Sequence, residues 1–579
     1  MSGRLRHLAA GLASLAAALA SAESRDLRPP APRSGTVEVE TTSPLPQPDQ
    51  VEQPTWREPD DPLELLWGHR LNFAAGGAPL VTIRLMEGQE EVSFRSRSRA
   101  RLRPRGSAAV EIPAGDTFRV RLKDALPAAL AHYPLLGEAF YADRDRLAEV
   151  RRVWERRGVK VLQRFTGGVY GIEGHVVDNR RAVLLADGDG SERFVRNFAE
   201  EALARYGDRT QVFTEVVQRP SGRLEVFDGV GTSIALGDAL VSLEVDGGGT
   251  FTLGRVEHDV GYRAHGYEDR LYRGRLIVTL DSSGRLAAVL AISLEELLRG
   301  LVPSEIPAGS PREALKAQAV TARSNVLAQI GTRHLTDPYV LCSEVHCQAY
   351  RGEMAQAAST DLAVRETRGE ALFGRADRAL VDAVYSALCG GHGEDNDAVW
   401  PTLPDQSLRG RPDLPAEEVV PWQGAGLKDE TKLRAFLAAA PRAWCARAQG
   451  APREKYRWQR RIALPEMDAL VAALGVGRVR HLDVTRRGAS GRALSLAVSG
   501  DSGSSVVEGE LRIRRLLGNL PSAMFVVDRE GGAFVLRGGG WGHGAGMCQW
   551  GAIGRAQAGQ DYRQILRSYY AGAEVARVY

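Results

Sequence analysis

The chain changes texture several times between its ends. An apolar Ala/Leu run from Leu8 to Ala20 follows the basic start Met-Ser-Gly-Arg-Leu-Arg and precedes Ala20-Ser21-Ala22. Basic, apolar and small residues in that order form a secretory signal peptide, with cleavage expected after Ala22. The run of about a dozen residues is short of the roughly 20 that cross a bilayer, and an uncleaved N-terminal anchor is the alternative. Residues 23–62 are rich in Pro, Ser, Thr and acidic side chains and nearly free of aromatics, so they read as a flexible tether.

Alternation of period two begins beyond Leu63. Val81-Thr82-Ile83-Arg84-Leu85 and Thr117-Phe118-Arg119-Val120-Arg121-Leu122 are strand patterns, and they predict a small β-rich accessory region over 63–130. From Phe140 to Arg157 the period becomes helical, with Leu147, Val150, Val153 and Trp154 on one face. Strand-like Val159–Leu162 and Ala182–Leu185 follow, which suggests an α/β accessory module over 131–230. Strand patterns return from Ser233 to Ile292, with turns at Asp246-Gly-Gly-Gly249 and Asp281-Ser-Ser-Gly284. Two helices are then expected. One is opened at Ser293 by a Ser/Glu capping box, the other by Pro311 and running to Asn325, with Pro303-Ser304-Glu305-Ile306-Pro307 linking them. Further amphipathic segments lie around Met467–Leu474 and Leu511–Leu517. The fold class is mixed, multi-domain α+β, with β-rich N-terminal accessory modules before a C-terminal region over 231–579.

Composition narrows this picture. At 579 residues, 44% hydrophobic and 25% charged, the chain is globular and long enough for several domains. Lys+Arg of 75 against Asp+Glu of 72 gives a net charge of +3 without long single-sign runs, which does not point to nucleic acid. No phosphate-cradling loop, nucleophile elbow or HExxH motif occurs, and Asp187-Gly188-Asp189-Gly190 lacks the later ligands of a calcium loop.

The chemistry-bearing candidates lie in the C-terminal half. Glu305 stands between two prolines, where a rigid link can aim a carboxyl into a cleft and apolar Val302 and Ile306 can desolvate it. Taken alone, an acidic residue in such a link is more often solvated. Two glycine-rich segments, Cys389-Gly390-Gly391-His392-Gly393-Glu394 and Gly540-Trp541-Gly542-His543-Gly544, offer backbone that a ligand could approach closely, or simply tight turns. Ser386, His392, Glu394, His543 and Gln549 are polar groups among those glycines. His334, Cys342, His346 and Cys347 fall within fourteen positions, a density of soft ligands suited to tetrahedral zinc.

Long, ordered stretches resemble the SpoIID/LytB family. They are Tyr272-Arg273-Gly274, Leu294 through Pro307, Glu313 through Arg323, Ala383 through Asp395, Gly540 through Ala552, and Tyr569-Tyr570-Ala571-Gly572, so roughly 230–579 is covered. The resemblance implies a lytic transglycosylase that cleaves between N-acetylmuramic acid and N-acetylglucosamine in peptidoglycan glycan strands already stripped of stem peptides. Glu305 would be its catalytic residue. Ser386, Gly390, Gly391, His392, Glu394, His543, Gly544 and Gln549 would contact substrate, with Gln318 and Arg323 of the second helix as weaker candidates.

The resemblance also implies structural zinc, since some relatives bind it through two His and two Cys in this region. The spacing His334-x7-Cys342-x3-His346-Cys347 departs from the family pattern, and a Cys342–Cys347 disulfide is the competing reading in an oxidising compartment. Cys389, Cys445 and Cys548 suggest a further disulfide, or a second ligand set in which His392 and His543 join Cys389 and Cys548. Because some relatives are amidase enhancers, an N-acetylmuramoyl-L-alanine amidase is an implied partner, and a non-catalytic glycan binder or cell-wall structural protein is the rival function. Export to the periplasm or cell wall is expected. The α/β module could bind glycan as SPOR-like modules do, or act as scaffold, and Trp400, Trp422, Trp444 and Trp458 could stack on sugars or fill a core.

Overall fold

The computed structural model describes residues 61–579 apart from 75, 142, 173–174, 259–264, 345–346, 376–377, 423 and 425. The expected signal peptide and all but the last two residues of the tether lie outside the described residues. No helix among those described is long and apolar enough to cross a membrane.

Two antiparallel sheets form the N-terminal half. One runs Asn72–Phe73, Pro79–Gln89, Leu286–Ser293, Arg275–Leu280, Leu240–Val245, Ala100–Pro104, Val110–Ile112, with Leu341–Cys342 added in parallel beside Pro79–Gln89. The other runs Ser233–Asp238, Ser221–Phe227, Thr117–Leu126, Glu91–Ser96, Thr250–His258, Gly266–Arg273. Alternate residues from both enter one core: Val92, Val120 and Leu224 meet Leu102, Leu276 and Leu290, all fully buried. Each such side chain contributes about 1.5–3 kcal/mol of burial. The 63–130 region is therefore not a separate accessory unit. Its strands interleave with those of 221–293, because each exposes an apolar face that only the other segment covers.

Between Leu126 and Ser221, which face each other in register, a discrete module is inserted. Its sheet runs Gln211–Gln218, Ala129–Phe140, Arg181–Ala186, Val161–Thr166, every pair antiparallel. Helices Arg144–Arg156 and Glu192–Tyr206 pack on Ala129–Phe140. The chain order β-α-β-β-α-β with this strand order is the split βαβ arrangement. The first helix begins at Arg144 rather than Phe140, because Asp143 caps it and Phe140 still belongs to the strand.

The C-terminal half starts with helix Leu294–Glu305, whose Ser293 hydroxyl caps the Glu296 N–H at 3.3 Å. Helix Arg312–Gln329 follows and is almost wholly buried. Glu370–Gly374 pairs with Ala573–Arg577, returning the chain end to this core. A second hydrophobic core, with Ile462, Met467, Leu496, Ile513, Phe525 and Leu536, is built from two three-stranded sheets and the helices Leu464–Leu470 and Glu510–Leu516.

Candidate functional site

Glu305 closes helix Leu294–Glu305 and is not a loop residue. Pro303 removes one N–H, yet the last turn continues through the Ile306 N–H to Val302 O bond at 3.0 Å and the Ser304 hydroxyl on Gly300 O at 2.7 Å. The helix thus carries the carboxyl to its very end.

Two distant segments meet it there. Tyr385-Ser386 pairs in parallel with Met547-Cys548, and Leu388 and Trp541 exchange backbone hydrogen bonds at 2.7 and 2.9 Å. This pairing brings the two glycine-rich stretches together and places Gln549 under the carboxyl-bearing residue. The Gln549 amide donates to Glu305 O at 2.9 Å and to Gln318 Oε1 at 3.4 Å. The Ala349 N–H donates to Glu305 Oε1 at 2.5 Å, and Tyr385 donates to Gln348 Oε1 at 3.0 Å from a position that also touches the carboxyl. The Ser386 hydroxyl and the Gln318 amide nitrogen are buried without a hydrogen-bond partner among the described residues.

Burial raises the Glu305 pKa from 4.5 to about 7, against the opposing pull of the Ala349 N–H, Tyr385, Gln549 and the Arg351 charge. No carboxylate is among the groups that act on it most. A carboxyl balanced near neutrality gives up a proton and takes one back with comparable ease. Burial and the Glu305 charge hold the Tyr385 phenol well above its usual range, so it stays a neutral donor.

The other expected residues divide. Gln318, Ser386 and Gln549 lie at the site. His543 lies alongside it: one ring nitrogen faces Tyr385 O at 2.8 Å and the other accepts from the Ala545 N–H at 3.1 Å, while Trp400 packs 4.8 Å away. Burial lowers its pKa to about 3, so the ring is neutral. His392 is buried against Gly393 O, with its pKa lowered to about 4 by the same cause. Glu394 is turned inward, accepting from the Ser490 hydroxyl at 2.6 Å and the Asp395 N–H at 2.9 Å, and Arg323 is locked onto Glu295 at 2.8 and 3.0 Å. Both satisfy polar partners in the interior.

The glycines have a packing reason in place of the expected room for carbohydrate. A Cβ on Gly390 would lie 2.9 Å from Gly540 N, on Gly391 3.0 Å from the Phe436 ring, and on Gly544 2.4 Å from the Arg492 guanidinium. All three have positive φ. Trp400, Trp422, Trp444 and Trp458 are half-buried in packing roles, whereas Trp541 is 44% exposed with Lys455 over its ring.

Two clusters of soft ligands emerge. In one, His334 Nε2 lies 3.1 Å from Cys347 Sγ, and the Cys342 and Cys347 sulfurs are 3.0 Å apart. His334 Nδ1 is fixed by Asp337 at 2.9 Å. His346 lies outside the described residues. The other joins Cys389, Asp413, Cys445 and Cys548, without His392, which faces Gly393 O, or His543, which faces Tyr385 O. Among the described residues none of the five cysteines forms a disulfide, so neither expected pairing is present.

Residues 282–373 match the stage II sporulation protein (SpoIID) family, the stretch that carries Glu305, Gln318 and the first ligand cluster. The chain is 26% identical over 290 residues to the amidase enhancer of Bacillus subtilis, covering 48% of this chain and 39% of that one. It is 24% identical over 299 residues to stage II sporulation protein D of Bacillus amyloliquefaciens, covering 49% and 74%. Over this domain the chain is similar to the SpoIID/LytB family. An uncharacterized protein of Brachyspira hyodysenteriae is 26% identical over 338 residues, covering 58% of this chain and 80% of its own length.

Beyond the SpoIID match, residues 394–546 match a separate domain of unknown function, which contains the second hydrophobic core. Sequence reasoning missed Tyr385, Gln348 and Ala349 at the carboxyl. Tyr385 directly precedes Ser386 and could have been found there. Gln348 and Ala349 carry no signal, since one acts only through a buried amide and the other through its backbone.

Proposed function

We propose that the protein is a lytic transglycosylase acting on peptidoglycan glycan strands, those stripped of stem peptides above all. The observation that carries this reading is the desolvated carboxyl of Glu305, poised near pH 7 with no carboxylate among the groups that act on it most. A conventional glycosidase uses two carboxyl groups, one to protonate the leaving oxygen and one to serve as nucleophile or to activate water. One suffices when the substrate supplies the nucleophile. Glu305 donates its proton to the glycosidic oxygen as the C1–O bond breaks. The muramic acid C6 hydroxyl then bonds to C1, and the Glu305 carboxylate accepts the hydroxyl proton. A 1,6-anhydro end forms, no water is consumed, and Glu305 returns to its acid form. Ser386 and Gln318 are the unpartnered polar groups that substrate hydroxyls and N-acetyl groups would satisfy.

The donor set of His334, Cys342 and Cys347 fits zinc: its ligand atoms lie within 4.8 Å of one another, and the Asp337 contact orients the imidazole as an outer-shell carboxylate does. Bound there, zinc would brace the segment leading to Gln348 and Ala349. Export through the N-terminal signal and partnership with an N-acetylmuramoyl-L-alanine amidase belong to the same proposal.

The test is mass spectrometry of products from purified glycan strands, with and without stem peptides. Anhydro-muramic ends from wild type that disappear with Glu305→Gln support the reading. Binding without cleavage overturns it in favour of a non-catalytic amidase enhancer, the reading favoured by the name of the Bacillus subtilis relative.

A further inference from the structure

Cys389, Asp413, Cys445 and Cys548 come from four separated stretches of chain, and all are buried. Their ligand atoms lie within 4.8 Å of one another. The Cys389 and Cys445 sulfurs are 3.8 Å apart, which matches the spacing of about 3.8 Å that tetrahedral bonds of about 2.3 Å impose on two sulfurs sharing one zinc ion.

Backbone N–H groups point at two of the sulfurs, as they do at thiolates held by a metal. The Cys548 sulfur accepts the Cys389 and Gly551 N–H groups, each at 3.2 Å, and the Cys389 sulfur accepts the Gly391 N–H at 3.4 Å. Cys548 also caps helix Gln549–Gln557. Asp413 is oriented as a ligating carboxylate is. Arg555 holds Oδ1 at 2.8 Å and Tyr569 donates to Oδ2 at 3.0 Å, while Oδ2 points at Cys389 Sγ, 3.4 Å away. Gly551 leaves room for this arrangement, since a Cβ there would lie 2.5 Å from Asp413 Oδ2. Arg555 is paired with the Asp413 carboxylate, and a divalent ion would offset most of the further negative charge that the three sulfurs carry when they ligate as thiolates.

We infer that Cys389, Cys445, Cys548 and Asp413 form a closed, four-coordinate site for one zinc ion, separate from the His334 cluster. All four positions are filled by protein, so the ion is structural. It ties the first glycine-rich turn, the Trp444–Arg447 helix and the start of helix Gln549–Gln557 to one point. Gln549, which bonds Glu305 O, is the residue next to Cys548, so the ion sets the position of the second segment beneath the carboxyl.

The decisive protein is full-length Cys342→Ser/Cys347→Ser, in which the first cluster is disabled. Its zinc content is measured by elemental analysis and by native mass spectrometry after supplying zinc alone. One zinc per chain is expected. Exchange for cobalt should give the charge-transfer absorption of three cobalt–thiolate bonds, and adding Cys445→Ser should abolish binding. The cobalt spectrum decides the matter on a folded protein even if the triple variant does not fold. Absence of zinc from the double variant, or an intact mass two hydrogens lighter with a peptide linking Cys389 to Cys445, would overturn the proposal.

Discussion

Replacing Glu305 with Gln removes the charge while keeping the shape of the side chain, and the consequence can be worked out without reference to any substrate. Burial raises the folded-state pKa from 4.5 to about 7. The fold therefore prefers the protonated acid. Its stabilising contribution is complete below pH 4.5, declines as pH rises, and is lost by the time pH passes about 7. At about 1.4 kcal/mol per pH unit, the whole decline amounts to about 3 kcal/mol. The Gln variant has no such titration, so its stability measured against wild type should rise by that amount between pH 4.5 and 8 and level off above. Infrared difference titration, wild type minus variant, reads the carboxyl stretch directly, and its midpoint is expected near pH 7. Denaturant unfolding across the same pH range supplies the energy. A midpoint below pH 5, or parallel stability curves for the two proteins, would refute the desolvation argument and remove the physical case for Glu305 as an acid at neutral pH.

Three further outcomes follow from the geometry. Arg323→Ala should cost about 3–5 kcal/mol of stability by stranding Glu295 in the core, with activity per folded molecule retained; calorimetry and active-fraction assays separate the two. Gly544→Ala should destabilise by about 1–3 kcal/mol, because φ is +84° and the new Cβ meets the Arg492 guanidinium, and thermal melting reads this. Ser386→Ala should leave the melting temperature unchanged or slightly raised, since it deletes a buried hydroxyl without a partner, while KM for glycan strands rises.

The sequence revealed the parts of this molecule where local pattern and chemistry coincide. Ser293 and Glu296 announce a helix start, and the alternation of Val81–Leu85 and Thr117–Leu122 announces strands, because each pattern is enforced by its own neighbours. The interleaving of 79–126 with 221–293 was hidden, since period-two patterning says that a strand has a buried face but not which strand covers it. Glu305 was legible as an aimed carboxyl, though its flanking prolines suggested a link and the helix in fact reaches it. Glu394 and Arg323 misled for a common reason: a polar residue inside a motif can serve the interior, and only their contacts with Ser490 and Glu295 show that these do. Asp413 and Cys445 were unreadable as ligands, because each is alone in its own stretch and gains meaning only where four stretches converge.

The split βαβ module leaves the sandwich at Leu126 and returns at Ser221, positions directly opposite each other in one antiparallel pair. Some ninety residues thus occupy the place where a short hairpin turn would satisfy the sheet. Such a junction is an open socket in the architecture: what is plugged into it can be enlarged, exchanged or lost without altering a strand of the host. The present occupant also touches the host, since Asn179 donates to Ile330 O at 2.8 Å and Gly167 to Gly331 O at 2.5 Å, four and three residues before His334. The inserted module therefore also props the segment that leads to the first ligand cluster.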